Sequence, residues 1–321
     1  MHQREHMNKS SENSPLVTVI VPCYNHEQYI TQSIESIYEQ HYKNFELLVF
    51  DDGSTDNSAN ILKHLSKTYG FYFESHKNMG LARTLNKAIA MSKGKYITFL
   101  ASDDLMLPNK LETLIKAMEE LDETYAIVCG NALFMDDDSN TITLEKHGKQ
   151  FSTFIEYYTS NRTDINIHSN FGTYATLLSG NYLPAMSTLY RKQALESVAL
   201  FTEDIPIEDW DIYMKISKKY NMKYVDTIVA KYRWHDSNNF KVNKSGMNIG
   251  MLKILEKERE YAISRGYRHI WLKTYANRLI LLFRFKEYRN IFKYIHCNDI
   301  LGLSLHFLKN INKLRKETVY T

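Results

Sequence analysis

The sequence predicts an α/β protein built on a doubly wound, mostly parallel sheet flanked by helices. Three observations lead there. Short β-rich runs alternate with helical stretches through the first 130 residues. The stretches between them run to about 10–15 residues, the length of a crossover helix and too long for a hairpin turn. Unusual polar residues gather just after the strands, at the edge where open parallel sheets bind ligands.

In chain order, "LVTVIV" (16–21) reads as a buried strand and 27–40 as a helix. "FELLVF" (45–50) is a second strand, followed by a helix over 56–66. "FYFES" (71–75) is a weak third strand, and 80–92 is a helix with Ala and Leu at helical spacing. "KYITFL" (95–100) and "YAIVCG" (125–130) are a fourth and fifth strand around a helix at 110–121. Residues 131–180 are rich in Asn, Ser, Thr and Tyr and weakly periodic; they read as loops around short strands and a helix. Helical spacing returns over 191–198 and 209–220, and "KYVDTIVAKYRWH" (223–235) reads as a strand ending in a polar cluster. After a polar linker, 236–246, the pattern is helical to 316. The expected organisation is a disordered lead-in (1–14), a sheet domain (15–240) and a helical C-terminal extension (241–321).

With 44% hydrophobic and 24% charged residues in 321, the composition is that of a soluble globular protein. Cys23, Cys129 and Cys297 are too few and too scattered for a disulfide framework, which favours a reducing compartment. Cys23 reads as a small buried residue. Residues 1–14 lack a signal-peptide core, and no run of about 18 apolar residues occurs. The expected location is cytoplasmic, peripheral on the cytoplasmic face of a membrane. Charge is distributed unevenly. Residues 265–316 hold twelve Lys or Arg and two acids, +10; with Glu317 at −1, residues 1–264 carry −6. A basic segment interleaved with aromatics can cover its own domain or attract an anionic membrane surface. No nucleic-acid-binding motif accompanies it.

Four strand ends carry the candidate chemistry. They are "PCYN" (22–25), "DDGSTD" (51–56), "NMGLARTLN" (78–86) and Ser102–Asp103–Asp104. Each has an ordinary explanation as a turn or helix start. Four together on one sheet edge point instead to a site. There is no G-x-G-x-x-G after the first strand, no P-loop, no zinc spacing and no G-x-S-x-G elbow. A carboxylate-rich site suited to Mg²⁺ or Mn²⁺ and a nucleoside diphosphate remains.

"VTVIVPCYNHEQYITQSIESIYEQHYKNFELLVFDDGSTDNS" (17–58) resembles the opening of the family-2 glycosyltransferases with the GT-A fold. "NMGLARTLNKAI", "GKYITFLASDD", "IEDWDIYMKI" (207–216) and "YRWH" (232–235) follow in that family's order, so the likeness spans about residues 16–235. The motifs are individually loose and specific as an ordered set. The resemblance implies inverting transfer of a hexose from a nucleotide-sugar, UDP-glucose or UDP-galactose, to a hydroxyl, forming a β-linkage. It implies Asp209 as the base with Glu208 beside it, and Asp103 and His235 as ligands of Mn²⁺ or Mg²⁺, with Asp104 as an additional candidate. The nucleotide-sugar is expected against Pro22, Tyr24, Asn25, Asp51, Asp52, Asn78, Arg83 and Asp103. One departure is plain: the family usually carries an acid where this chain has Ala101. The length and layout also resemble bacterial enzymes that build O-antigen, lipopolysaccharide or capsule repeats, which implies a lipid-linked saccharide acceptor such as GlcNAc-diphosphoundecaprenol. A rhamnosyltransferase using a dTDP-sugar and a non-catalytic nucleotide-sugar-binding protein are the alternatives. A nucleotidyltransferase would need a Gly-rich basic loop in place of "PCYNHEQ".

Overall fold

The computed structural model describes residues 14–284 and Tyr294. Apart from Ser14, the lead-in lies outside the described residues, as does most of the basic segment, including Lys309, Lys313, Arg315 and Lys316.

The expected strands form. β1 (Val17–Cys23), β2 (Phe45–Asp51), β3 (Tyr72–Ser75) and β4 (Tyr96–Phe99) pair in parallel in the order β3-β2-β1-β4. Side chains alternate between two cores, as period-two geometry requires. Val17, Val19 and Val21 of β1 join one core, and Ile20 joins the other. Helices cover both faces, which is why β1 is buried almost throughout. On one side lie α1 (Ile30–Tyr38), α2 (Ser58–Tyr69) and α4 (Lys110–Glu119). The isoleucines Ile30, Ile34 and Ile37 of α1 form a single apolar stripe there. On the other side lies α3 (Leu81–Met91), which buries Ala82, Leu85, Ala88 and Ile89.

Beyond β4 the sheet becomes mixed, and two strands appear that no periodicity announced. β5 (Leu105–Met106) is two residues long, and β6 (Tyr125–Met135) extends the expected fifth strand. A short β10 (Thr188–Arg191) wedges antiparallel between β4 and β6. Tertiary hydrogen bonds hold it: Arg191 Nε donates to Tyr125 O at 2.8 Å and Nη2 to Leu121 O at 2.8 Å. β11 (Asn221–Arg233) runs parallel to β6 with register shifts and pairs antiparallel with β5 at its end. Between β6 and β10 stand β7 (Thr141–Ile142), the hairpin β8 (Leu144–Lys146) and β9 (Lys149–Phe151), α5 (Phe154–Thr159) and α6 (Tyr174–Leu178). Next come α7 (Lys192–Glu196) and α8 (Glu208–Ser217).

The polar linker expected over 236–246 is instead partly helical. It contains α9 (Asn239–Val242), and α10 (Lys244–Ser264) begins within it. One of its asparagines caps a helix: Asn243 Oδ1 accepts from Gly246 N–H at 3.1 Å. With α11 (Arg268–Arg284), α10 buries Leu252, Leu255, Trp271 and Tyr275 in the same core as Ile20 and Ile97 of the sheet. In its described part, then, the extension covers the domain. No helix among the described residues is long and apolar enough to cross a membrane.

Gly250 shows how tightly α10 meets the sheet domain. A Cβ there would stand 2.7 Å from Pro206 Cγ and 2.9 Å from Cδ, against a rigid ring. Helix propensity alone would make Gly250→Ala stabilising by about 1 kcal/mol. Overpacking costs about 1–3 kcal/mol, so a lower unfolding midpoint is expected. A raised midpoint in a denaturant titration would show that the contact yields freely.

Candidate active site

β4 stops at Phe99, and the chain then turns, with Asp104 N–H donating to Ala101 O at 3.0 Å. Pairing of β5 with the end of β11 carries this turn to the residues that follow β11. Asp103 Oδ2 lies 3.0 Å from His235 Nε2 and 3.9 Å from His26 Nε2. Burial pushes the Asp103 carboxyl up, but the His235 hydrogen bond and the fields of both imidazoles outweigh it and hold the group below the usual carboxylate range. Asp104 has the opposite fate. Its Oδ1 accepts from Arg233 N–H at 2.9 Å, and burial together with the Asp103 charge pushes it well above that range. One acid is pushed toward its anionic form and faces the histidines; the other is pushed toward its neutral form and braces the strand end.

Arg233 locks the turn, with Nε on Asp103 O at 2.8 Å and Nη1 on Asp136 O and Asp137 O at 2.8 and 2.9 Å. His235 is oriented by Ser237 Oγ, 2.6 Å from Nδ1, and by Asn238 Oδ1, which accepts from its backbone N–H at 2.8 Å. Nε2–H donates to Asp103 Oδ2 while Nδ1 accepts from Ser237 Oγ; a metal ion would replace the Nε2 proton, and Ser237 would then hold Nδ1–H. Asn238 Nδ2 lies 3.1 Å from Nε2. Asp103 Oδ2 and His235 Nε2, 3.0 Å apart, fit a divalent ion, because cis ligands about 2.1 Å from an octahedral centre are about 3.0 Å apart. Among the described residues no group of three or more His, Cys, Asp or Glu side chains could hold a metal ion. An ion here would draw its other ligands from substrate and water.

At the ends of β1–β3 the carboxylates serve the backbone of their own rim. Asp51 accepts from Ser75 Oγ at 2.7 Å and from Ser54 N–H at 3.3 Å. Asp52 accepts from Met79 and Gly80 N–H at 2.8 and 3.0 Å, holding the start of α3. Gly53, at φ +75°, admits Asn78, whose N would be 2.6 Å from a Cβ there. Asn25 Oδ1 accepts from Thr55 N–H at 2.7 Å. Tyr24 and Asn78 are exposed, and Pro22 is half-buried. Arg83 is tied elsewhere, its Nε donating to Glu203 at 2.7 Å on the surface. Ser102 Oγ, 2.7 Å from His26 Nδ1, and Ser58 Oγ, accepting from His26 N–H at 3.0 Å, join this rim to the Asp103 cluster. Cys23 is buried, as expected, and burial pushes its thiol up to about 11.

Glu208 and Asp209 open α8, where acids suit the helix dipole. Asp209 Oδ2 accepts from Asn181 Nδ2 at 2.7 Å and Oδ1 from Trp210 N–H at 2.7 Å. Burial nevertheless pushes Asp209 up to about 6, and burial plus the Asp209 charge pushes Glu208 up to about 8. Burial, with smaller contributions from Tyr158, Asp104, Asp103 and Asp209, pushes the Tyr232 hydroxyl well up. His26, Asn181, Arg233, Ser237 and Asn238 join the site without a sequence signal that marks them individually. His26 and Arg233 sit inside the quoted motifs and were within reach; Asn181 lies in a segment with no pattern to mark it.

The comparisons with known proteins bear on the family and the fold. The family model for glycosyl transferase family 2 matches residues 18–180. An uncharacterized glycosyltransferase of Rickettsia typhi is 31% identical over 277 residues, covering 84% of this chain and 81% of its own. The glycosyltransferase GlyG of Streptococcus pneumoniae is 34% identical over 140 residues, 43% of this chain and 46% of its own. Among solved structures, S. aureus TarS 1–349 in complex with UDP-GlcNAc superposes with a TM-score of 0.54 at 17% identity, over 82% of this chain and 80% of that one. The mannosyltransferase PcManGT of Pyrobaculum calidifontis, in complex with GDP-Man and Mn²⁺, gives 0.56 at 18%, over 84% and 75%. Those two show the fold, GT-A; the family model and the Rickettsia relative show the family. This chain belongs to glycosyl transferase family 2 and is a glycosyltransferase.

Proposed function

We propose that the enzyme is an inverting hexosyltransferase that uses a nucleotide-sugar, UDP-glucose or UDP-galactose, and a lipid-linked saccharide acceptor. The observation that carries the reading is the Asp103–His235 pair, 3.0 Å apart at the carboxyl edge of the sheet. PcManGT, which shares the fold, was solved with Mn²⁺ and GDP-Man, and TarS with UDP-GlcNAc. Asp103 and His235 would hold Mn²⁺ or Mg²⁺, which when bound offsets the charge developing on the leaving diphosphate. Pro22, Tyr24, Asn25, Asp51, Asp52 and Asn78 would line the nucleoside; Arg83, paired with Glu203, would have to exchange partners to take part.

Inversion needs one base and no carboxylate nucleophile, unlike retaining glycosidases. Asp209 takes the acceptor hydroxyl proton as that oxygen attacks the anomeric carbon, and Asn181 holds the carboxylate in place. Glu208, raised further, stays protonated beside it and limits the site to one negative charge. The base works only when ionised, so kcat/KM is expected to fall as pH drops through about 6, the value to which Asp209 is raised. A flat pH–rate profile between about 5 and 8 would count against this assignment.

A lipid-linked saccharide of the kind used for O-antigen, lipopolysaccharide or capsule, met at an anionic membrane surface, fits the +10 charge of residues 265–316. The deciding experiment screens nucleotide-sugars against synthetic GlcNAc-diphosphate-lipid acceptors, with and without Mn²⁺. Transfer from UDP-hexose to the lipid acceptor supports the reading. Transfer only from a dTDP-sugar selects the rhamnosyl alternative, and no turnover of any donor selects the binding protein.

A further inference from the structure

The helical extension carries a half-buried cation to the loop beside the candidate base. Arg278, on α11, is half-buried, and its Nε is shielded from solvent without a hydrogen-bond partner. No carboxylate among the described residues offsets its charge; burial alone acts on the guanidinium and pushes it down to about 10. Its Nη2 stands 4.0 Å from where a Cβ on Gly180 would lie, and Arg162 Nη1 stands 3.7 Å from the same point. The two arginines differ in what they have left to give. Arg162 is paired with Asp164 through two bonds of 2.8 Å and gives two more of its five donors to Gly180 O and Thr176 O. Arg278 Nε has no acceptor among the described residues. The next residue along the loop, Asn181, is the one that holds Asp209.

A guanidinium partly withdrawn from water without a counter-charge is costly to keep, and its planar fork matches the oxygens of a phosphate. Gly180 places no side chain between this fork and the loop. We infer that Arg278 and the Gly180 loop form an oxyanion subsite that takes a phosphate group of the acceptor. The inference rests on Asp209 as the base, since Asn181 alone connects the subsite to the reacting hydroxyl. Consecutive Cα atoms are about 3.8 Å apart, so a phosphate at Gly180 lies close to the residue that orients the base. That separation suits a saccharide phosphate, in which the hydroxyl and the phosphate belong to one sugar.

The test uses the full chain in calorimetric titrations with N-acetylglucosamine 1-phosphate, N-acetylglucosamine and inorganic phosphate. The saccharide phosphate is expected to bind the wild type at least about tenfold more tightly than the neutral sugar, as a charge-assisted contact provides. Arg278→Gln should erase that preference and Arg278→Lys should recover part of it. No preference in the wild type, or a preference kept in Arg278→Gln, overturns the inference. A preference lost in Asp103→Ala but kept in Arg278→Gln would put the phosphate in the donor site and overturn it as well. Inorganic phosphate binding as tightly as the saccharide phosphate would make this a site for the free ion and overturn the acceptor assignment. Asp209→Asn separates the two readings: full turnover in that variant removes the base, while its binding preference still judges the subsite.

Discussion

Asp209→Asn is expected to lower kcat by about 10²–10⁴-fold, the usual worth of a general base, with nucleotide-sugar affinity nearly unchanged. The asymmetry follows from position. Asp209 opens α8 and bonds to Asn181 and Trp210, whereas the rim around Asp51 and Asp52 is built from the ends of β1–β3 and its own backbone contacts. An amide retains an acceptor for one of the two donors now facing the carboxylate, so the fold should tolerate the change. Isothermal titration with UDP-sugar and single-turnover transfer, run on the same preparation, separate the two effects. If donor affinity falls in step with kcat, Asp209 is a binding residue and the base lies elsewhere. Asn181→Ala should give a smaller loss of kcat and move the acidic limb of the pH profile upward, because the bond that favours the ionised carboxylate is gone.

Asp103→Ala is expected to abolish metal-dependent UDP binding and to cut transfer by about 10³-fold or more, since charge neutralisation at a leaving diphosphate is worth several kcal/mol. His235 would keep its contacts with Ser237 and Asn238 but lose the carboxylate opposite. Asp104 supplies the contrast. Pushed toward its neutral form and bonded to Arg233 N–H, it is expected to be replaceable by Asn with little loss of activity, while Asp104→Ala should lower stability by stranding that donor. Full activity in excess chelator, or equal losses from Asp103→Ala and Asp104→Asn, would reject the division of labour between the two acids.

Much of the fold was legible because its signals are local. β1 reads as a strand since its run of β-branched residues is buried on both faces, and α1 and α3 read as helices since their apolar residues recur at helical spacing. β5 and β10 were not legible. A strand of two or four residues has no periodicity to read, and both exist because distant segments supply their hydrogen bonds. The linker at 236–246 misled for a related reason: asparagine is a loop former in a pattern and a helix cap in a structure.

The sequence by itself determined which chemistry was available: the order of its motifs, Asp103 after the fourth strand, Asp209 at a helix start and His235 after the last strand. Only the tertiary structure decided how each acid is used. Asp103 and Asp104 are adjacent and identical in kind, yet two imidazoles hold one below the usual carboxylate range while burial and the neighbouring Asp103 charge push the other well above it. Asp51 and Asp52 likewise turn inward to hold a rim that spacing alone presents as open ligands. The reason is physical. The charge state of a carboxylate is set by desolvation and by donors that arrive from elsewhere in the chain, and for Asp103 the decisive donor lies 132 residues away.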